Sequence, residues 1–549
     1  MIDRIEISGF RILRSFEWKP NDGVNIIVGA NSVGKSTLLD AIELVTKGTL
    51  HGVRAKGNIS PDWFNAGMVT NFFDDLKDGK QPEPPAISVA VTFSGKPTLA
   101  NMQGIQGPNK GKEDKPGLWF QVKVPEHLTG EFIVEAQSIA KSETAGTLPT
   151  EFYECYWTTY KGDPLIRRPK YVSCSRVDTS PEPYSRAVDS LARSVVDSQL
   201  DDDQLRNVSG QIRDARARID STVLSSITLT ENELLKAFGV QTDKSPRSDW
   251  RNTVVLARDG LPLSVLGSAD QVMAKTAASM VGSSESPILL MEEPECHLSH
   301  TTLVKLLSII EKAMAAGRQT FITTHSPFVL NRLGLDKMFI MGESGTPRTI
   351  TDGSISSDTV MYFKRLSGYD TLRIILAEKA VLVEGPTDEM VFDWAFHKLR
   401  NMYPTERGID VIECGIQYRR AFELAAAVDK SPVAVLRDND NKSEGHWKEA
   451  TKPFCKPDKR ALFVGHDGEG YTIEPQMVRA NAGKLELLAK ATRSNVSDPK
   501  GLEQYLLNNK VLWSLRLIEH DTAESEQLEV PRYIREAIDF IDPKDEQER

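Results

Sequence analysis

Paired cysteines, long apolar runs and an excess of positive charge are all missing from this chain of 549 residues. Its five cysteines are scattered, with no Cys-x-x-Cys pair, which argues against a structural zinc site and fits a reducing cytosol. The N-terminus alternates apolar and polar residues and lacks the apolar core of a signal peptide, and no other apolar run has membrane length. We therefore expect a cytoplasmic protein.

The net charge of -10, with a pI of about 5.6, is the opposite of the basic footprint that is usual for nucleic-acid binders. Any contact with DNA would have to use local basic patches and metal ions. A chain of this length also exceeds the size at which a single core stops growing, so two or more domains are expected.

A glycine-rich segment, GANSVGKS, lies between an apolar run at 24–28 and a helix-like segment at 37–45. This order of strand, loop and helix is the one that a phosphate-binding loop needs. Glycines let the backbone amides face phosphates, a lysine neutralises the outer phosphates, and a serine hydroxyl can ligate Mg2+. The predicted nucleotide contacts are Gly29, Asn31, Gly34, Lys35, Ser36 and Thr37, with Ser36 also on the metal.

The second half of a nucleotide site is predicted in ILLMEEPECHL, where an apolar strand at 288–291 delivers two glutamates to its carboxyl end. Glu292 would help to hold Mg2+, although aspartate is more usual there, and Glu293 would polarise the attacking water. His325, after another apolar strand, suits sensing of the terminal phosphate. Cys296, His297 and His300 nearby could be interpreted as zinc ligands, but the start of a helix is the preferred interpretation.

The segment LPLSVLGSADQ lies where a dimeric ABC-type ATPase has its signature loop, which contacts ATP on the partner subunit. Gly267, Ser268 and Gln271 suit that role, whereas Ala269 and Asp270 depart from the glycine-rich pattern. In order along the chain, these elements resemble the ABC ATPases of the SMC and recombination-protein class. That resemblance implies a dimer with ATP sandwiched between two heads.

Between these elements, residues 178–250 have a charged, helical pattern that predicts a helical dimerisation insert. Arg206, Arg213 and Arg216 share one helix face and could contact phosphate. A solvated face with salt bridges is the preferred interpretation of these arginines.

The C-terminal part contains two apolar strands that end in carboxylates, AVLVEGPTDEMVF and PVAVLRDND. Glu384 and Asp388 are four residues apart across a turn, and alternation puts Asp438 and Asp440 on one face if the strand geometry persists. An isolated Asp-x-Asp is usually only a turn. Hard oxygen ligands so arranged suit Mg2+ or Mn2+, and Lys442 at a ligand position disfavours a calcium loop.

These two strands look like a Toprim domain, and an ABC head followed by Toprim resembles the OLD (overcoming lysogenization defect) family of ATP-regulated endonucleases. The resemblance implies two metals held by Glu384, Asp388, Asp438 and Asp440, which stabilise the attacking and leaving oxygens of a phosphodiester. It further implies a carboxylate at Glu474, a catalytic lysine at Lys510 with Lys500 as the less favoured substitute, and Phe10 and Arg11 near the nucleotide. The implied catalytic residues are Glu293, Lys510, Glu384 and Asp438.

The predicted fold is therefore α/β: an ABC-type, SMC-like ATPase head with a helical dimerisation insert, followed by a C-terminal Toprim domain. The expected boundaries are 1–177 and 251–370 for the head, 178–250 for the insert and 371–549 for Toprim. The expected function is ATP-regulated, metal-dependent DNA cleavage by a homodimer or larger oligomer, with ATP and Mg2+ or Mn2+ as cofactors. Relatives in bacterial anti-phage systems imply a defence role and a possible regulatory protein or nucleic-acid partner. RNA cleavage and a non-nucleolytic ATP-driven clamp remain alternatives.

Overall fold

The fold was analysed in a computed structural model of the chain. The structure describes residues 1–51, 53–94, 97–105, 107, 114–141, 147–166, 169–178, 192–193, 195–197, 199–227, 240–243, 249–281, 287–315, 317–342, 347–349, 355–365, 371–430, 432–519 and 525–544. The predicted boundary at Asp370 and much of the predicted insert, including 179–191 and 228–239, lie outside this part of the chain. The predicted domain boundaries therefore stay predictions.

The chain forms two compact units, Met1–His325 with Lys337–Arg348, and Ser326–Asp336 with Thr349–Arg549. The described helices of the first unit are α1 (Lys35–Lys47), α2 (Ala66–Lys77), α3 (Thr129–Lys141), α4 (Asp202–Thr222), α5 (Ser268–Val281) and α6 (His300–Ala315). Its described strands are β1 (Ile2–Phe10), β2 (Leu13–Trp18), β3 (Val24–Val28), β4 (Thr49–Leu50), β5 (Val53–Arg54), β6 (Ile87–Phe93), β7 (Gln103–Gly104), β8 (Lys115–Lys123), β9 (Glu154–Thr159), β10 (Cys174–Asp178), β11 (Ala257–Arg258), β12 (Leu261–Pro262), β13 (Ile288–Glu292), β14 (Gln319–Thr323), β15 (Met338–Met341) and β16 (Pro347–Thr349).

An antiparallel sheet begins the first unit, with the order β2-β1-β6-β8-β7 and β9 paired to β8. The alternation predicted for the N-terminal strand is present in β1. Ile5 and Ile7 are buried, whereas Ser8, which follows Ile7, is exposed. The same face of this sheet packs against α1, whose residues Leu38 and Ile42 are fully buried.

The second sheet of this unit has the order β10-β13-β14-β3-β15-β16, and its pairs from β10 through β15 are parallel. Strands β3 and β13 are largely apolar, and β14 is buried along its whole length, because a parallel sheet is covered on both faces. Parallel strands place their carboxyl ends at one edge. The segments that follow β3, β13 and β14 therefore meet there, as the sequence predicted.

The insert is represented mainly by α4, a helix of 21 residues with no buried side chain. It begins with a capping box in which Asp201 accepts a hydrogen bond from the Gln204 amide. Arg206 and Arg213 pair with acidic neighbours, Asp203 and Asp214, on the helix surface. These pairs are those of the solvated, salt-bridged face that the sequence favoured.

The second unit is built on a four-stranded parallel sheet of order β18-β17-β19-β20. Its strands are β17 (Lys379–Val383), β18 (Ile409–Glu413), β19 (Val433–Arg437) and β20 (Arg460–Val464). Its described helices are α7 (Pro327–Leu333), α8 (Ser357–Arg365), α9 (Thr371–Leu376), α10 (Pro386–Arg400), α11 (Tyr418–Ala427), α12 (Glu444–Thr451), α13 (Ile473–Ala480), α14 (Leu485–Ala491), α15 (Pro499–Asn508), α16 (Lys510–Glu519) and α17 (Arg532–Ile541).

Two apolar cores cover this sheet, and alternate residues of the central strand β17 divide between them. Val381 and Val383 belong to the core that contains α10 and α17, whereas Ala380 and Leu382 belong to the core that contains α11. Helices on both faces leave the carboxyl edge of the sheet for polar residues. In the described part of the chain, no helix is long and apolar enough to cross a membrane.

Candidate nucleotide and metal sites

The loop after β3 has the backbone geometry of a phosphate-binding loop. Gly34 has a φ of 104°, and a Cβ on it would lie 2.7 Å from Ile12 Cγ2, while one on Gly29 would lie 2.7 Å from the Met341 carbonyl oxygen. Space therefore requires glycine at both positions, and at Gly34 the positive φ requires it as well. Helix α1 starts directly afterwards at Lys35, so its first amides face the loop.

Lys35 is buried, and its Nζ donates hydrogen bonds to the carbonyl oxygens of Gly29 at 2.9 Å and Ala30 at 2.8 Å. Burial lowers the pKa of Lys35, against the opposing effect of Glu293, Glu292 and Glu295. The remaining predicted contacts differ in accessibility, since Thr37 is buried whereas Asn31 and Ser36 are exposed.

The predicted acidic strand end lies beside this lysine. Glu292 is the last residue of β13, and Glu293 follows with a φ of 40° and donates its amide to the Thr323 carbonyl at 3.0 Å. His325 Nε2 lies 3.5 Å from Glu293 Oε1. Burial and the charge of Lys35 lower the pKa of His325. Lys35, Glu292, Glu293 and His325 thus form one cluster, although they are almost 300 residues apart in sequence.

Glu295 is a member of this cluster that sequence analysis missed. Its Oε1 accepts hydrogen bonds from Thr324 Oγ1 at 2.8 Å and from the His325 amide at 2.7 Å. It therefore fixes the backbone that carries His325. Cys296 lies in the adjoining turn, where its Sγ donates to Glu293, and His300 begins α6, so the zinc interpretation has no support here.

Arg176, on β10, was also missed and connects the two halves of the site. Its Nη2 donates to Glu292 Oε2 at 2.6 Å, and its Nη1 bonds Asp40 and lies 3.2 Å from Glu43. Burial by itself would raise the pKa of Asp40, but hydrogen bonds from His51 and Arg176 lower it to about 2. The network therefore holds a charged carboxylate inside the first turns of α1.

The contacts of the other two predicted nucleotide residues, Arg11 and Ser268, are with protein groups or solvent in this structure. Arg11 has a φ of 48° and forms an ion pair with Asp40, while Phe10 beside it is buried in the core. Ser268 is the first residue of α5, and Asp270 in its first turn pairs with Arg258 at 2.6 Å. Contact of Arg11 or Ser268 with nucleotide stays a prediction.

The second unit gathers its predicted carboxylates at the carboxyl edge of its sheet. Glu384 follows β17, and Asp388 lies in the first turn of α10, where it accepts a hydrogen bond from the Gly385 amide at 3.2 Å. Burial, with the charges of Glu384 and Glu474, raises the pKa of Asp388 to about 7. Burial, with Asp388 and Glu384, raises the pKa of Asp438 to about 9. The carboxyl groups of Glu384, Asp388, Asp438 and Glu474 therefore lie near one another in a desolvated region.

The route by which Asp440 reaches this cluster differs from the prediction. Strand β19 ends at Arg437, and Asp440 has a φ of 48°, so strand alternation does not extend to it. Instead, Asn439 is buried and anchors the loop by donating to the Gly470 carbonyl at 2.8 Å, and the Asp440 amide donates to Tyr471 at 3.1 Å. The middle residue of Asp-x-Asp therefore fixes the conformation.

Lys510 lies beside these carboxylates, with its Nζ 3.8 Å from Glu474 Oε1. Its side chain is 54% exposed, whereas that of Glu474 is fully buried at the start of α13. Lys500, the substitute considered from sequence, is an exposed residue at the start of α15. Tyr533 was missed: its phenol is buried on α17, and its pKa is raised by burial and by the charge of Asp438.

The donor chemistry of this cluster fits Mg2+ or Mn2+. Asp438 Oδ1 and Glu474 Oε1 are buried oxygen atoms that accept no hydrogen bond in the described structure. Such acceptors are costly unless a cation or donor satisfies them. In the described part of the chain, no group of three or more Asp, Glu, His or Cys side chains is already arranged around one metal position. Two cationic side chains, Arg437 and Lys510, pair with members of the cluster.

Three family models match the chain. Residues 4–137 match an AAA domain, residues 195–331 match the AAA domain described as a putative AbiEii toxin of a type IV toxin-antitoxin system, and residues 375–440 match the Toprim domain of proteins like overcoming lysogenization defect protein. The chain thus combines regions of AAA ATPase domains with a C-terminal Toprim domain. This organisation matches the OLD-family ATPase-Toprim proteins, and the predicted α/β fold of an ABC-type head with a C-terminal Toprim domain is confirmed.

Individual relatives are more distant. The chain is 39% identical over 61 residues to the DNA replication and repair protein RecF of Thioalkalivibrio sulfidiphilus, which is 11% of this chain and 16% of that protein. Among solved structures, an SMC head bound to the C-terminal winged-helix domain of ScpA has a TM-score of 0.32 and 16% identity, covering 63% of this chain and 96% of that one. The Thermotoga maritima SMC head has a TM-score of 0.27 and 14% identity, covering 62% and 94%.

Proposed function

We propose that this protein is an ATP-regulated, metal-dependent DNA endonuclease whose cleavage site is the carboxylate cluster of the Toprim unit. The observation that carries the proposal is the pair of buried oxygens, Asp438 Oδ1 and Glu474 Oε1, that accept no hydrogen bond in the described structure. Together with Glu384, Asp388 and Asp440, they offer a hard-oxygen environment for divalent cations. Bound divalent ions would supply charge stabilisation for the attacking and leaving oxygens of a phosphodiester.

The chain's own residues support this chemistry. Glu384 follows a strand whose core is fully buried, and Asp388 is held by the Gly385 amide, so both carboxylates have fixed positions. Lys510 is half exposed next to Glu474, which lets its ammonium reach a phosphate from solvent while it remains beside the cluster. We assign Lys510 the stabilisation of developing charge on the scissile phosphate.

In the first unit, we assign nucleotide binding to Gly29, Gly34, Lys35 and Ser36, with Thr37 and Asn31 beside them. Glu293 is the proposed base for the attacking water, because it is held between the Thr323 backbone and His325. Glu292 would assist the metal, and Ser268 of a second copy would complete the site. Dimerisation through the 178–250 insert, of which α4 is the main described part, and a role in anti-phage defence are parts of the same proposal.

The test is cleavage of supercoiled plasmid by purified protein with Mg2+ or Mn2+, without nucleotide and with ATP, ADP or a non-hydrolysable ATP analogue. Wild type should nick in at least one nucleotide state, and Asp438→Ala should not. Lys35→Ala should change how nicking responds to ATP without removing the cleavage site. Glu449→Ala, which removes a 76% exposed carboxylate on α12, is the matched control and should nick like wild type.

Two outcomes would reject the proposal. If wild type nicks in none of the states, or if Asp438→Ala nicks equally well, the Toprim unit is not the nuclease and an ATP-driven clamp becomes the better account. Parallel reactions with labelled DNA and RNA of one sequence test the substrate. Preferential cutting of RNA would replace DNA in the proposal while leaving the site unchanged.

A further inference from the structure

We infer that Arg437 is a built-in counter-ion of the carboxylate cluster, which binds Glu384 and Asp440 in the metal-free protein and weakens the binding of a divalent cation there. This inference rests on the proposed function, because it concerns the same carboxylates. It adds Arg437, a residue to which the sequence motifs gave no role.

One guanidinium bridges two candidate ligands that come from different parts of the sheet edge. Arg437 Nη1 donates to Glu384 Oε1 at 2.6 Å, and Nη2 donates to Asp440 Oδ2 at 2.7 Å. The Arg437 side chain is only 6% exposed, so water screens these contacts poorly. The planar guanidinium directs one N–H group to each carboxylate in fixed directions, whereas a lysine ammonium is a compact point charge without that geometry.

Aromatic rings hold the guanidinium in this position. Its carbon lies 3.7 Å from the centroid of Trp447 and 4.6 Å from that of Tyr418. Trp447 is itself fixed, because its Nε1 donates to the Asn439 carbonyl at 2.9 Å, within the Asp-x-Asp loop. Stacking of a cation on two rings adds attraction beyond the ion pairs. The position of the positive charge is therefore fixed by packing against Trp447 and Tyr418.

A divalent cation ligated by Glu384 and Asp440 would have to share these carboxylates with the guanidinium. Each carboxylate gives one oxygen to Arg437, and the like charges of guanidinium and metal repel each other at short range. Removing the positive charge leaves a more negative cluster. We therefore expect a neutral residue at this position to bind metal more tightly than wild type does.

Another arginine of the same sheet offers a matched control. Arg460, on β20, is 7% exposed and pairs with Asp429 at 2.9 Å, and it also donates to the carbonyl oxygens of Phe454 and Lys430. None of these partners is a candidate metal ligand. Arg460→Met therefore removes a buried strand arginine without touching the carboxylate cluster.

The experiment is a titration of full-length, nucleotide-free protein with Mn2+, in which the electron paramagnetic resonance signal of free Mn2+ reports binding. Sites that Asp438→Ala removes are assigned to the cluster. Arg437→Met should bind Mn2+ there on the order of tenfold more tightly than wild type, as loss of a close like charge predicts. The Mn2+ affinity of Arg437→Lys should lie between those of wild type and Arg437→Met, and the affinity of Arg460→Met should match that of wild type.

A second measurement uses the wild-type side chain and does not depend on the stability of Arg437→Met. Metal binding should change tryptophan fluorescence as the guanidinium loosens from Trp447, and Trp447→Phe should lack that change. If Mn2+ binds the cluster in wild type with no signal from Trp447, or if folded Arg437→Met binds equally or more weakly, Arg437 is not the counter-ion. If wild type has no Mn2+ site that Asp438→Ala removes, the proposed metal site itself fails.

Discussion

Arg176 donates a 2.6 Å hydrogen bond to Glu292, and with its other nitrogen it pairs with Asp40 in the helix after the phosphate loop. The acidic strand end and the phosphate loop are therefore joined by one guanidinium whose side chain is only 6% exposed. Glutamate at position 292 is longer than the usual aspartate. Its contact with Arg176 gives that extra length a partner.

Replacing Arg176 should lower the stability of the first unit and raise the Mg2+ concentration that ATP hydrolysis needs. Breaking a buried ion pair costs roughly 3–5 kcal/mol, and we expect about 3 kcal/mol for Arg176→Met because Asp40 keeps Arg11 and His51. ATP hydrolysis by the folded variant should need a higher Mg2+ concentration, since Glu292 loses its fixed position. Thermal unfolding and hydrolysis rates across a Mg2+ series measure the two effects.

The control for Arg176 is Arg206→Met, which removes an exposed ion pair with Asp203 on α4 of the same unit. That more accessible pair is expected to contribute less than about 1 kcal/mol. Equal loss of stability in the two variants, or an unchanged Mg2+ requirement in Arg176→Met, would contradict the role given to Arg176.

Glu293→Gln should separate ATP binding from ATP hydrolysis. The amide retains the size of the side chain, so Lys35 and the glycines should still bind nucleotide, but it cannot accept a proton from water. Loss of a general base typically slows a reaction by about 10²–10⁴-fold. Binding of a fluorescent ATP analogue and phosphate release measure the two properties, and unchanged phosphate release would remove Glu293 from catalysis.

Those parts of the sites that directly follow buried strands are predictable from the sequence. The apolar runs ending at Val28, Met291 and Val383 are covered on both faces, and the residues after them reach the carboxyl edge whatever the rest of the chain does. For this reason the glycine loop, Glu292 and Glu384 could be placed without a structure.

The residues that were missed depend on tertiary packing. Arg176 and Arg437 are the partners of predicted carboxylates, but each reaches a partner more than 50 residues away, which no local pattern indicates. The failure at Asp440 has a different cause. The chain leaves the strand at Arg437, and a buried Asn439 then sets the loop, so the period of two no longer applies.

Removal of metal should make the stability of the Toprim unit depend on pH. The pKa of Asp438 rises from 3.8 to about 9 on folding, so protonation of this carboxyl group stabilises the folded state. The stabilisation is fully present below the unfolded pKa of 3.8 and is lost as the pH rises through the folded pKa of about 9. With chelator, the melting temperature should therefore fall between about pH 5 and 9. Asp438→Asn should flatten the fall, and an equally steep fall in that variant would exclude Asp438 as the cause.

Lys510→Ala should remove cleavage while leaving the carboxylates and their metal in place. The lysine is 54% exposed and its Nζ lies 3.8 Å from Glu474, so its loss disturbs little packing. Removal of one charge-stabilising group typically costs about 10²–10³-fold in rate. Lys500→Ala is the matched control, because it removes an exposed lysine from the preceding helix and should cut like wild type. Plasmid nicking rates and Mn2+ binding, measured on both variants, check the assignment. Loss of cleavage in Lys500→Ala alone would transfer the role to Lys500. Loss of both Mn2+ binding and cleavage in Lys510→Ala would mean that Lys510 supports the metal site and does not stabilise the scissile phosphate.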